Sequence, residues 1–463
     1  MQSALISSLA KAAGTPGKHA CAILPKLTQP ALIRGLSLLQ ATALNMSNMV
    51  GVGPFITIPL IISAMGGPQC MLGWLLGTIL ALSDGLIWSE LAAAMPSTGG
   101  TFLYLRESFR HTKAGRLLPF LFIWQFVFSG PLEIASGYIG FAQYIGYFWR
   151  TMGPWETRLV AASAGVVTVV LLYRNIRSIG KITVVLWIGM LATVVWVIAS
   201  GLANFQSKIA FDFPPNAFTF TRGFILGLGG ATLIAMYDFL GYYDVCYVAG
   251  EVREPARVIP RSILFSVAAI AAIYSVMNLS IIGVVPWREA MQSKFIASEF
   301  MERIYGGWAG SLVTVMILWT CLTSCFALML GTSRIPYAAA LEGYFFKPFA
   351  ALHPTGRFPH IALLAVGGLS ILAAFIPLDQ VLSALMTTRI LVQFMGQIAA
   401  VHLLRKRSDI ERPFRIWLYP LPSIFAFAGW SYVFATAGTV SIAAGLVTLA
   451  AGVLVFWIWN RSR

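Results

Sequence analysis

Between residues 36 and 459 the chain passes through twelve long apolar runs separated by short charged or Gly/Pro-rich breaks. Such a chain cannot bury its apolar surface in a water-soluble globule. Hydrophobic residues make up 58% of its 463 positions and charged residues only 11%, against roughly 25% charged in a soluble domain. A membrane crossing needs about 20 apolar residues. The runs, at 36–62, 70–95, 117–149, 157–173, 182–201, 223–249, 261–285, 309–333, 360–376, 380–403, 417–436 and 439–459, supply twelve. The loop 286–308 is the one sizeable connection, and Trp287 to Tyr305 reads as a short interfacial or re-entrant helix.

The net charge of +15 is sorted rather than scattered. Counted on alternate sides of twelve spans, 24 of the 32 Lys and Arg fall with the termini, 7 fall opposite, and Arg389 lies within a span. That asymmetry is the positive-inside bias, which places both termini in the cytoplasm and argues against nucleic-acid binding. The five cysteines form no disulfide framework, and Cys321 and Cys325 lack a neighbouring histidine with which to hold a metal. Lys11, Lys18 and Lys26 interrupt any secretory signal, so the N-terminal segment reads as a cytoplasmic tail. There is no Walker-type phosphate loop, no Gly-x-Ser-x-Gly and no His paired with a deep nucleophile, which disfavours direct ATP drive and a membrane-embedded enzyme.

Two spans carry residues that break helices. The first holds Asn45, Ser47, Asn48 and Val50 ahead of Gly51-Val52-Gly53-Pro54. Glycine tolerates the backbone beyond a helix end, and proline fits the start of the next helix, where its missing N–H costs nothing. The sixth holds Tyr237-Asp238-Phe239-Leu240-Gly241-Tyr242-Tyr243-Asp244. A charge at mid-bilayer costs roughly 2.5–3.5 kcal/mol, so such a segment faces an interior cavity. Breaks in spans one and six, five apart, are what an inverted repeat of five plus five helices gives, with a binding site at the repeat interface.

The break at Val50 to Phe55, Ser89-Glu90-Leu91 followed by Pro96 and Gly99-Gly100, and Gly250-Glu251-Val252-Arg253-Glu254-Pro255 with Ile259-Pro260-Arg261 together resemble the amino acid-polyamine-organocation superfamily of permeases, which have the LeuT-type fold. The resemblance runs from about Arg34 to Arg415. It implies an all-α polytopic membrane protein of twelve transmembrane helices, with helices 1 and 6 broken: a tail over 1–34, a ten-helix core over 35–416 and two further helices over 417–463. It also implies that Gly51, Val52 and Gly53 cradle a substrate carboxylate, that Phe239 is an aromatic gate and that Gly241 is the glycine of the unwound segment. Two departures set this chain apart. Asp238 stands where many relatives have a small or apolar residue, and no lysine lies between Ile182 and Ala199 to replace a sodium ion.

The deep ionisable residues, Asp84, Glu133, Asp238, Asp244 and Arg389, set four negatives against one positive. Protons, sodium, water or a cationic substrate must neutralise the excess. Asp238 is the expected partner of a substrate ammonium, or else the cap of the following half-helix. Glu133 and Arg389 lie at compatible depths for an ion pair closing the vestibule, and Asp244 reads as a packing or gating residue. Thr323 and Ser324 stand where the resemblance places hydroxyl ligands for sodium, with the carbonyl of Gly51, or else pack helices closely, and Phe326 would stack on a cation or else contact lipid or core.

The expected function is secondary active transport of amino acids, organic amines or polyamines by alternating access, cationic substrates favoured. Asn48, Val50 to Gly53, Tyr237 to Phe239, Gly241 and Phe326 are the expected binding residues. Neutral amino acids are the alternative, and a channel or transporter-like sensor a further one. No cofactor is expected beyond a coupling proton or sodium ion. The expected partners are the small-molecule substrate and the lipid bilayer.

Overall fold

A computed structural model describes residues 32–51, 53–376 and 385–461. Of the expected tail 1–34, only residues 32–34 fall inside that set. The described residues are all-helical, and the lone β-feature among them is an isolated bridge between Leu36 and Val252. Helix occurs among the described residues of each of the twelve apolar runs. The elements are α1 (Leu38–Met49), α2 (Gly53–Met65), α3 (Met71–Ala94), α4 (Thr101–Phe109), α5 (Leu117–Ile145), α6 (Pro154–Leu172), α7 (Ile176–Ala203), α8 (Arg222–Phe239) and α9 (Asp244–Tyr247). They continue as α10 (Pro255–Ile282), α11 (Ile296–Tyr305), α12 (Gly307–Thr332), α13 (His360–Ala373), α14 (Met395–Arg405), α15 (Leu421–Thr436) and α16 (Thr439–Arg461). Seven helices are long and apolar enough to cross a membrane, or eight when α1 and α2, bent by 44°, count as one span. The protein is therefore an integral, multi-pass membrane protein. The connection around 286–308 forms two short helices, Trp287–Ala290 and α11.

Local chemistry explains where the first span starts and stops. Ser37 and Gln40 make a reciprocal capping box, the Gln40 side chain accepting from the Ser37 amide at 2.9 Å. The helix ends at Val50, and Pro54 sits second in α2, where an unpaired amide is the rule anyway. Pro59, inside α2, removes the donor that would have bonded the Phe55 carbonyl. The Tyr144 hydroxyl of α5 donates to that carbonyl instead, at 3.1 Å.

Packing sorts the helices into an inner set and a periphery. The stretch Gly307–Leu341 is 72% buried over its most apolar window, whereas in α16 only Gly445 and Gly452 are buried. Helices α1, α5, α7 and α10 pack around the breaks with α12 and α3. Two of the motif segments act as struts at one end of the bundle. The Glu90 carboxylate at the end of α3 accepts from Arg405 at 2.5 Å, Arg412 at 3.2 Å and the Ile416 amide at 2.7 Å. Glu251 forms a buried ion pair with Arg334 at 2.8 Å, and its carbonyl accepts from the amides of Gly35 and Leu36.

Candidate functional site

Both interrupted spans come apart at the same level and face each other. After Phe239 the backbone turns extended at Leu240 and left-handed at Gly241, whose φ is +104°. A side chain at Gly241 would overlap the Asn48 amide group, so glycine is required there by conformation and by space.

Two clips join the broken helices. On one side of the break, Asn48 Nδ2 donates to Asp244 Oδ2 at 2.5 Å and the Val245 amide donates to Asn45 Oδ1 at 3.1 Å, tying α1 to α9. On the other, Thr57 Oγ1 donates to Asp238 Oδ2 at 2.5 Å, tying α2 to α8. The Tyr274 hydroxyl of α10 spans the gap, donating to the Met49 carbonyl at 2.6 Å and reaching the Asp238 carbonyl at 3.1 Å. Loose helix-end carbonyls are thereby satisfied inside the bilayer.

A cavity of about 30 Å³ lies between the breaks, room for about two water molecules. The first span contributes Asn48, Met49, Gly51 and Gly53 to its wall, and α8 contributes Tyr237 and Asp238. Glu133, Ser136 and Gly137 of α5 and Ser324 and Leu328 of α12 close it. Asp238 Oδ1 has no hydrogen-bond partner among the described residues and lies against Gly53. Ser136 Oγ and the Tyr237 hydroxyl are 2.8 Å apart. Behind the wall, Arg389 is wholly buried. It pairs with Glu133 at 2.7 Å, donates to Ser129 Oγ at 3.1 Å and to the Tyr243 hydroxyl at 3.3 Å, and lies over the Phe126 ring. Arg389 immediately precedes a π-helical turn, Ile390–Phe394, the wider coil that is frequent at functional sites.

The sequence pattern of one family, Amino acid permease, matches residues 36–459. The chain belongs to that family. The permease is 26% identical to the serine/threonine exchanger SteT of Bacillus subtilis (strain 168), over 87% of this chain and 90% of SteT. It is 20% identical to the branched-chain amino acid permease BcaP of the same organism, over 94% of each. Against the human cationic amino acid transporter 4 the identity is 27% over 80% of this chain, which spans 58% of that longer protein.

The expected site residues divide into three groups in the permease. Asn48, Gly51, Gly53, Tyr237, Asp238, Glu133 and Ser324 line the cavity. Gly241, Asp244 and Arg389 stand behind it and position its walls. Val50, Phe239, Phe326 and Thr323 do not line it, and Val52 lies outside the described residues. Phe239 is instead buried in a cluster with Trp74 and Tyr274, at ring distances of 6.3 and 5.3 Å, rather than over the site as an aromatic gate. Phe326 is buried in α12 and does not line the cavity. Thr323 donates to the Trp319 carbonyl of its own helix and lies 3.5 Å from the Leu186 carbonyl, while Ser324 donates to the Asn48 carbonyl at 3.2 Å. The two expected sodium hydroxyls thus point in different directions. Asp238 caps no half-helix, because Tyr243 precedes α9 and offers no side-chain cap.

Reading the sequence missed Thr57, Ser136, Gly137 and Tyr274. Ser136 and Gly137 lie three and four residues after Glu133 and so share its helix face, a signal that was available. Thr57 and Tyr274 carry no such mark. Tyr274→Phe is expected to lower stability by about 1–2 kcal/mol, since it strips the shared donor from two buried carbonyls. Thermal unfolding of the purified permease checks this, and an unchanged midpoint would show the strut to be idle.

Proposed function

We propose that this permease is a secondary transporter that moves amino acids or organic amines by alternating access, with cationic amino acids and amines favoured. Asp238 is the observation that carries the reading. Its carboxylate sits in the cavity wall with one oxygen held by Thr57 and the other unpartnered, and no cationic side chain pairs with it among the described residues. The other carboxylate in the wall, Glu133, is already matched by Arg389. The site is therefore one positive charge short, which an ammonium group supplies when loaded and a proton when empty.

In this reading the amides near Gly51 and Gly53 take the other end of the substrate. The cavity is too small for an amino acid, so loading requires the clipped halves to part, and their rejoining is the closure step of the cycle. Because Thr323 faces Leu186, a proton fits as coupling ion better than sodium. The bias of Lys and Arg supports placing both termini in the cytoplasm.

Asp238→Asn tests the proposal. Thr57 can still donate to the new amide oxygen, so the fold is expected to hold, while affinity for lysine, arginine or putrescine falls about 10- to 100-fold with the lost charge-assisted hydrogen bond. Ligand-dependent thermal shifts and counterflow in proteoliposomes read the two effects. Undiminished amine affinity in Asp238→Asn would remove the substrate role. A second reading, neutral amino acids with Asp238 serving only to hold Thr57 across the break, is favoured if only neutral amino acids shift the wild type.

A further inference from the structure

Away from the transport cavity, a groove of about 700 Å³ lies where α4, the loop 110–116, Glu342, Tyr344 and the last turn of α16 meet. We infer that this groove binds the phosphate of an anionic phospholipid whose acyl chains lie along α16.

The charge in the groove is unevenly spent. Arg106 is used up by two carboxylates, Glu107 at 2.7 Å and Glu342 at 2.5 Å. Arg110, Lys113 and Arg116 form no ion pair among the described residues, and all three are exposed. One Arg106 between two carboxylates leaves one negative charge against these three positives, so the groove keeps an excess of two. Arg116 leans over the Trp459 ring at 5.7 Å, beside Tyr344 of the groove wall.

The surroundings select a lipid over a soluble anion. Two aromatic residues line the groove, Tyr344 and Phe456, and both rings pack against Trp459, at 5.9 and 6.0 Å. Rings of this kind gather where bilayer hydrocarbon gives way to headgroups. The groove is also lined by the end of α16, a 23-residue apolar helix that exposes Leu446 and Trp457 within about 100° of Phe456 and Asn460 around its axis. That flank faces acyl chains. A lipid lying against it delivers its phosphate to the level of Arg110, Lys113 and Arg116, where juxtamembrane cations attract anionic headgroups.

The test uses the full-length permease purified in a neutral maltoside detergent, titrated with dioleoylphosphatidylglycerol, dioleoylphosphatidylcholine or inorganic phosphate. Thermal unfolding is the readout. The phosphatidylglycerol is expected to stabilise saturably and the other two to have no effect. In R110Q/K113Q the half-saturating lipid concentration is expected to rise on the order of 25-fold, about fivefold per cation. R150Q/K208Q, which removes two exposed cations elsewhere, is expected to behave as wild type. If R110Q/K113Q does not fold, K113Q alone, in an exposed loop, is expected to show the fivefold change. An equal response of wild type and these variants, or stabilisation by phosphatidylcholine, would overturn the site. Reproduction of the shift by inorganic phosphate would overturn its assignment to a lipid.

Discussion

Arg389→Met is expected to lower the stability of the permease by about 3–5 kcal/mol, the usual consequence of stranding one half of a buried ion pair. Glu133 would be left in the cavity wall with no cation, and Ser129 and Tyr243 would lose a donor. Set against a net stability of about 5–15 kcal/mol, that is enough to empty much of the folded population at 37 °C. The double variant Glu133→Gln with Arg389→Met carries no stranded charge and is expected to recover most of the loss. Detergent-solubilised protein heated and then passed over a sizing column reads both changes. Transport separates a gate from a static brace. Arg389 touches Tyr243 in the broken segment of the sixth span as well as Glu133 in α5, so it links the part that is to move with the part that is not. The refolded double variant is therefore expected to bind substrate but show no counterflow. Full counterflow would make the pair a brace, and a stable Arg389→Met single variant would refute the burial argument itself.

That pair is legible in the sequence because charges in apolar spans are so scarce that Arg389 has few partners at its depth. The breaks were legible for a related reason. Gly51, Pro54 and Gly241 have backbone chemistry that no other residue imitates, so their positions speak without context. Side-chain direction is a different matter. Thr323 and Ser324 are neighbours on α12, and successive helical residues point about 100° apart, so either both of them or only one can face the break. Nothing in the sequence says which. Phe239 illustrates the same limit, since an aromatic ring beside a break can cover the site or pack sideways, and here Trp74 and Tyr274 offer it a buried seat. Tyr274 itself resembles any tyrosine in an apolar span until both Met49 and Asp238 present it with carbonyls.

Gly241→Ala is the sharpest probe of the broken backbone, with an expected loss of about 2–6 kcal/mol. Two effects add. The left-handed φ of +104° costs an alanine about 1–3 kcal/mol in strain. The new methyl would also displace the Asn48 amide from Asp244, leaving a buried carboxylate oxygen without its donor, a further 1–3 kcal/mol. Asn48→Ala incurs only the second effect, so Gly241→Ala must be the worse of the two in a thermal or denaturant series. Gly230→Ala is the counterpart in the same span. It lies in the regular part of α8 with its nearest neighbour, Ala64 Cβ, at 4.0 Å, and there alanine should be neutral or stabilise by up to about 1 kcal/mol. A glycine-to-alanine change thus reverses sign within eleven residues of one span if the helix is undone at Gly241. Equal effects at the two positions would mean that the helix runs through, and the cavity, the clips and the opening to substrate would lose their common cause.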